Sequence, residues 1–508
     1  MKTRFIKLTL TVFVGLALAC STDDNNIIAI PDFPETGTTS TPTPTITSGS
    51  ANFGTYVAIG NSLTAGFADA ALYAKGQAVS IPNILASQFE LAGGGSFSQP
   101  LMNDDLGGLL LGGNQITPNR FIFDPVNQVP VTVSGMPTTE VTNIISGPFN
   151  NMGVPGAKSY HLLANGYGNV AGVAGGLANP FFARMASNPN ASVMEDVLGQ
   201  APTFFTLWIG GNDVLQYATS GGSGEDHNET GNLDPSTYST NDITNANVFA
   251  QVYGGILQGL AQVGSTNGVL INLPNVTQIP YFNVVPYNPI PLDAATAAAV
   301  NAGYAAYNGG LLAAEAGTLI TAEERARRTI NFEASATNAV VIEDEDLTDL
   351  SGLGLPPLRQ TTADDLMVLT SQFVIGTLAD PNNPLSVNGV GVALDDGQVL
   401  TPEEQAKVIA ATEAINTTIG MMATQFDLGL LDFNALFNEV ATSGLNIGGD
   451  ATITADFVTG GAFSLDGVHP SPRGNAATAN AIIDVINAKY GSNIPQVNAI
   501  EFTGLYVD

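Results

Sequence analysis

Three short segments, far apart in the chain, carry side chains that together could activate a serine as a nucleophile. The first is Gly60-Asn61-Ser62-Leu63-Thr64-Ala65-Gly66. It follows the apolar run Tyr56-Val57-Ala58-Ile59, which puts Ser62 at the C-terminal end of a buried strand, where open α/β sheets hold their ligands. The free N–H groups of a helix starting there could stabilise an oxyanion. A serine that only caps a βα turn is the plainer alternative. The second segment is Gly210-Gly211-Asn212-Asp213, again behind an apolar run. Asn212 offers an amide donor to developing negative charge, or else simply forms a turn. The third is Asp466-Gly467-Val468-His469-Pro470-Ser471. A serine hydroxyl needs a base to take its proton, and imidazole titrates near neutrality. Asp466, three residues earlier on the same turn, can hold the ring and stabilise the imidazolium. The alternative is a surface pair that caps the last helix. The chain has 3 histidines, His161, His227 and His469, so candidates for the base are few.

In this order the segments resemble the blocks of the SGNH (GDSL-type) hydrolase family: Gly-Asp-Ser-Leu first, Gly-x-Asn-Asp third, and Asp-x-x-His before a C-terminal helix. A second-block glycine belongs between them. Asn151-Met152-Gly153-Val154-Pro155-Gly156-Ala157 is similar to that block, with Gly156 at the matching position. The resemblance covers nearly the whole body. It implies a flavodoxin-like three-layer α/β/α sandwich with a parallel sheet. It implies Ser62 as nucleophile, His469 as the base that later protonates the leaving alcohol, and Asp466 as the group that orients His469. The Ser62 and Gly156 backbone N–H groups and the Asn212 side chain would form the oxyanion hole, and no metal or organic cofactor is needed. One residue departs from the pattern: Asn61 stands where the family has Asp. A charge is lost, but the amide oxygen can still accept a hydrogen bond, so the turn is expected to survive. The departure motivates one rival, a non-catalytic surface binding protein on a decayed hydrolase scaffold. A second rival is a carbohydrate O-acetylesterase.

Other polar residues have plainer readings. His161 reads as a helix-surface histidine. His227, in Gly224-Glu225-Asp226-His227-Asn228-Glu229, reads as part of a solvated acidic loop rather than a metal site. Trp208 reads as core. Asp364-Asp365 and Asp395-Asp396 could bind Ca²⁺, with turn and cap roles as the plainer reading.

Several elements must position these residues. Thr203 to Ile209, Gly268 to Asn272 and Leu428 to Phe433 read as further buried strands. Asn245 to Val263 and Asn475 to Tyr490 show helical apolar faces, the second closed by Gly491. Apolar strands alternating with helices predict a parallel sheet covered on both faces. The region 283–425 is long for one crossover, and it holds the helix starts Thr321-Ala322-Glu323-Glu324 and Thr401-Pro402-Glu403-Glu404. It reads as an inserted, mostly helical subdomain that could serve as a lid or as a wall of the acyl pocket. The Gly/Asn-rich stretch 91–151 reads as a long excursion.

The N-terminus reads as a signal peptide over residues 1–19: basic Lys2, Arg4 and Lys7, then an apolar stretch too short for a good membrane span. Leu16-Ala17-Leu18-Ala19-Cys20 resembles a bacterial lipobox, which implies lipidation of Cys20, the chain's 1 cysteine. The acidic run behind it is similar to the surface-export tether of Bacteroidota lipoproteins. Residues 20–51, rich in Thr, Pro and Ser, read as a linker. A body over 52–492, one domain or two, and a tail over 493–508 follow. The implied location is beyond the inner membrane, lipid-anchored in the outer membrane or at the cell surface, with membrane contact through Cys20. The formal charge of −31, from 14 basic and 45 acidic residues, disfavours nucleic acid and repels anionic headgroups. The expected partner is an extracellular ester, either lipid or O-acylated glycan.

Overall fold

Five short runs pair as one parallel sheet in the computed structural model, which describes residues 45–507. They are β1 (Tyr56–Gly60), β2 (Asn151–Gly153), β3 (Phe204–Trp208), β4 (Gly268–Ile271) and β5 (Gly429–Leu431), in the spatial order β5-β4-β3-β1-β2. Every neighbouring pair runs parallel. All residues of β1, β3 and β4 are buried, as continuous apolar runs in a doubly covered sheet should be. The expected signal peptide, Cys20 and most of the linker lie outside the described residues. No helix among the described residues is long and apolar enough to cross a membrane.

The helices that position the site start at the C-terminal ends of strands. α1 (Ser62–Ala65) follows β1 directly. α2 (Ile81–Glu90) comes next, then α3 (Asn212–Thr219) after β3, and α4 (Ala246–Gln262), capped by Asn245. Within the long region behind β4 lie α5 (Ala294–Ala316), α6 (Ala322–Arg328) and α7 (Pro402–Gln425). α8 (Phe433–Thr442) follows β5, and α9 (Pro472–Tyr490) ends the body. Ser471 starts α9: its hydroxyl accepts from the Gly474 N–H at 3.0 Å, with Pro472 at the first helical position. That is three residues earlier than the apolar periodicity alone indicated. α9 packs on α2, β4 and β5, while α7 packs on α3, α4, β4 and β5.

The inserted segment has a smaller core of its own. Val285, Phe332, Val340, Ile342, Met367 and Leu394 cluster apart from the sheet's core. Two short antiparallel pairs, Val341–Glu343 with Leu358–Gln360 and Leu366–Met367 with Val399–Leu400, accompany its helices. α7 does not belong to it. Val408, Ile415 and Ile419 sit in the main core, so the segment with its own core stops near Leu400 rather than at residue 425. The body also begins earlier than residue 52. Ala51 is buried in the main core, and the Thr47 N–H donates to Asn493 Oδ1 at 2.7 Å. The 493–508 tail is tied down too: the Val497 N–H donates to Asn480 Oδ1 at 2.8 Å, and Arg473 Nε to the Phe502 carbonyl at 3.0 Å. Within the 91–151 excursion, Phe121–Asp124 pairs with Val129–Thr132.

Candidate active site

The turn from β1 into α1 is sterically fixed. A Cβ on Gly60 would lie 2.2 Å from Thr64 Oγ1 and 2.4 Å from the Trp208 carbonyl oxygen, so only glycine fits. Asn61 caps α1, its Oδ1 accepting from the Leu63 N–H at 3.1 Å. The amide thus supplies the acceptor that the turn needs, as expected for a residue in place of Asp. Gly66 closes the helix at φ +86°, where L side chains are strained.

Ser62, His469 and Asp466 form one hydrogen-bonded line. Ser62 Oγ lies 2.8 Å from His469 Nε2, and His469 Nδ1 lies 2.9 Å from Asp466 Oδ2. A carboxylate on Nδ1 fixes the proton there, which leaves the Nε2 lone pair to accept the serine proton. Asp466 is itself heavily held. It accepts from the Val468, His469 and Ala70 backbone N–H groups at 2.8–2.9 Å and from the Ser464 hydroxyl at 3.0 Å. Burial pushes its carboxyl up, but the charge of His469 and these hydrogen bonds outweigh burial and bring it down to about 2. Phe67 packs on the His469 ring, with centroids 4.8 Å apart.

The groups expected to serve as oxyanion donors are partly committed. Asn212 is buried and lines the same cavity as Ser62 and His469. One of its amide hydrogens goes to the Ala157 carbonyl at 2.9 Å, which ties α3 to the loop behind β2 and leaves the other hydrogen for a ligand. Gly156, next to Ala157, is exposed with φ +79°. Among the described residues, neither the Ser62 N–H nor the Gly156 N–H donates to another protein group. The loop behind β2 is anchored to β1 by the Val154 N–H donating to the Gly60 carbonyl at 3.0 Å.

No family model, curated protein or solved structure matches this chain.

Beside Ser62 opens an apolar cavity of about 880 Å³ including its mouth. Its wall is one face of α8, Phe433, Leu436, Phe437 and Val440, at helical spacing i, i+3, i+4, i+7. Leu273, Val276 and Ile279 behind β4 supply another side, and Leu445, Ile453 and Phe463 a third. No residue of 283–425 lines it, so the insertion is not a wall of this cavity. The wall residues escaped the sequence reading, although their spacing was there to see.

Two residues near the triad also escaped it. Asp69 and Ala70 both have left-handed φ, +53° and +64°. The Asp69 carboxylate accepts from the Tyr73 hydroxyl at 2.7 Å and the Leu465 N–H at 3.0 Å, while the Ala70 N–H holds Asp466. This strained pair clasps the triad loop. Outside the site, Trp208 is buried, as expected, and lies edge-on to Phe433. His161 is half-buried in a short 3₁₀ helix, stacked on Tyr167, and burial lowers its pKa to about 4. His227 is not in a solvated loop. It is buried, 2.8 Å from Asp242 Oδ2 and stacked on Tyr238. Asp365 is claimed by Arg359, at 2.6 and 2.7 Å, which removes it as a calcium ligand. Asp213, beside Asn212, is buried and bonded to Ser159, a structural role.

Proposed function

We propose that this chain is a serine carboxylic-ester hydrolase of the SGNH type, acting through an acyl-enzyme on esters with an aliphatic acyl chain. The observation that carries the reading is the continuous line Ser62–His469–Asp466, opening on an apolar cavity. The sheet order supports it: numbered by strand, it is the 2-1-3-4-5 order of flavodoxin-like folds, with Ser62 at the C-terminal edge of the first strand. Helices packed on the sheet in two groups suit a three-layer sandwich.

The reaction follows from the geometry. Ser62 Oγ attacks the ester carbonyl as its proton passes to His469 Nε2. Charge collects on the carbonyl oxygen, where the free Ser62 and Gly156 N–H groups and the uncommitted Asn212 hydrogen serve as donors. The C–O bond to the alcohol breaks, and His469 returns the proton to the leaving oxygen. Water, deprotonated by His469, then attacks the acyl-Ser62 carbonyl; the C–O bond to Ser62 Oγ breaks, His469 returns the proton to Oγ, and the acid leaves. Asp466 stays ionised throughout and stabilises the imidazolium.

The cavity separates this reading from a carbohydrate O-acetylesterase. An acetyl group would leave nearly all of the apolar wall unfilled, whereas each buried methylene contributes about 0.8 kcal/mol, a factor of about 4. An intact triad argues against a decayed scaffold. The test is turnover of p-nitrophenyl esters from acetate to myristate by wild type and Ser62→Ala. kcat/KM should climb with chain length until the cavity is full, and Ser62→Ala should lose at least ~10³-fold. A maximum at acetate, falling by butyrate, would favour the acetylesterase instead. Cys20 lipidation, if present, would place this activity on extracellular esters beside a membrane.

A further inference from the structure

Three carboxylates meet at one point outside the cavity beside Ser62. Glu345 follows the strand Val341–Glu343, Asp396 opens the 3₁₀ turn Asp396–Gln398, and Glu404 lies in the first turn of α7. One carboxylate oxygen from each lies within 4.8 Å of the others. Acidic clusters are common on surfaces, but Glu404 is 0% exposed. One of its oxygens accepts from the Thr401 N–H at 2.7 Å, closing the capping box. The other, Oε1, is buried and has no hydrogen-bond partner, and so is Gln398 Oε1 on the turn that carries Asp396. A buried carboxylate oxygen left without a donor is costly, and such a group calls for a partner.

Among the described residues, no cation forms an ion pair with any of the three. Arg327 pairs with Glu403 and Asp344, Arg359 with Asp344 and Asp365, and Lys407 with Glu229. None of these reaches the three carboxylates. Gly221 and Gly222 pack closely against this group. A Cβ on Gly222 would lie 1.8 Å from Glu404 Oε1, and one on Gly221 would lie 2.2 Å from the Asp396 carbonyl.

We propose that Glu345, Asp396 and Glu404 bind a calcium ion. The donors are all hard oxygens, and three carboxylates offer up to six of the six to eight ligands that calcium takes. Two oxygens bound to one calcium at ~2.4 Å lie up to ~4.8 Å apart, so the three are near enough to converge on a single ion. The ion joins three segments: the inserted segment at Glu345, the turn at Asp396, and α7, which packs on the sheet. It also lies against the Gly221–Gly222 turn that ends α3, the helix that begins at Asn212. Calcium therefore ties the insertion to the body and braces the far end of the oxyanion helix, without entering the chemistry.

The test is calorimetric titration of calcium into the wild-type protein freed of metals with a chelator, alongside thermal melting. One calcium per chain is expected, with a melting temperature about 5 °C or more higher at a 100-fold excess over Kd. Glu404→Gln keeps the capping-box acceptor and should lose at least ~10-fold in affinity, as should Asp396→Asn. Should either fail to fold, Glu345→Gln, at the exposed end, reports the same loss. Ser62→Ala should bind as wild type does, because the ion stands apart from the triad. Absence of both heat and a melting shift in wild type would overturn the site. So would undiminished binding in Glu345→Gln and Asp396→Asn, or magnesium binding as tight as calcium.

Discussion

Asp466 illustrates how the site is poised residue by residue. Its folded pKa lies near 2, below an unfolded value of about 3.9. A depressed carboxylate contributes stability that is present above the unfolded pKa and lost as pH falls through the folded one, here between about pH 4 and pH 2. The contribution is about 2 kcal/mol. Denaturant unfolding of wild type and Asp466→Asn should therefore differ most above pH 5 and converge on acidification; a gap that stays constant to pH 2 would contradict the assignment. At Asn212 the account is kinetic. Asn212→Ala removes one oxyanion donor and should lower kcat by ~10²–10³-fold with little change in KM. A rise in KM alone would make Asn212 a substrate-binding group. The sequence disclosed Ser62, Asn212, Asp466 and His469 because each sits in a short local pattern. Asp69 and Ala70 were not legible, because their part depends on bonds to Asp466 and Leu465, 396 residues away along the chain.

At the scale of elements, four of the five sheet strands, β1, β3, β4 and β5, and helices α4 and α9 were legible from apolar runs and helical periodicity. β2 was not: three residues beginning with Asn carry no apolar run, and only pairing with β1 makes them a strand. α7 announced its start through Thr401 and Glu404, but a capping box says nothing about what the helix packs on, so its place in the main core was hidden. α8 is the element with the largest consequence for specificity. Val440 is buried at the cavity wall, and Val440→Phe should fill part of the space. kcat/KM for long acyl chains should then fall at least ~10-fold while acetate turnover is retained. An equal loss on all chain lengths would mean that α8 supports the triad rather than the acyl chain.

Among the described residues, the inserted segment's core stands apart from the sheet's core and is stapled by buried charge. Arg359 is 1% exposed, pairs with Asp365 and also bonds Asp344, both of them buried. Arg359→Ala leaves Asp365 buried without a cation and Asp344 with Arg327 alone, at a cost of about 3–5 kcal/mol. The melting temperature should fall by several degrees, with kcat at 25 °C unchanged, since the insertion contributes nothing to the cavity beside Ser62. A matching loss of kcat would show that the insertion shapes the site after all. The size of the insertion was plain in the sequence, but its separate core was not, because Arg359–Asp365 and the short strand pairs join residues by tertiary contact.

The central claim is that Ser62 is a nucleophile activated by His469. The direct measurement is covalent labelling with a fluorophosphonate, read by intact mass and by mapping the adduct to a peptide. The account predicts one adduct per folded chain, on the Ser62 peptide, and none in Ser62→Ala or His469→Ala. A folded wild-type protein that takes no label, or labels as fast without His469, would contradict it.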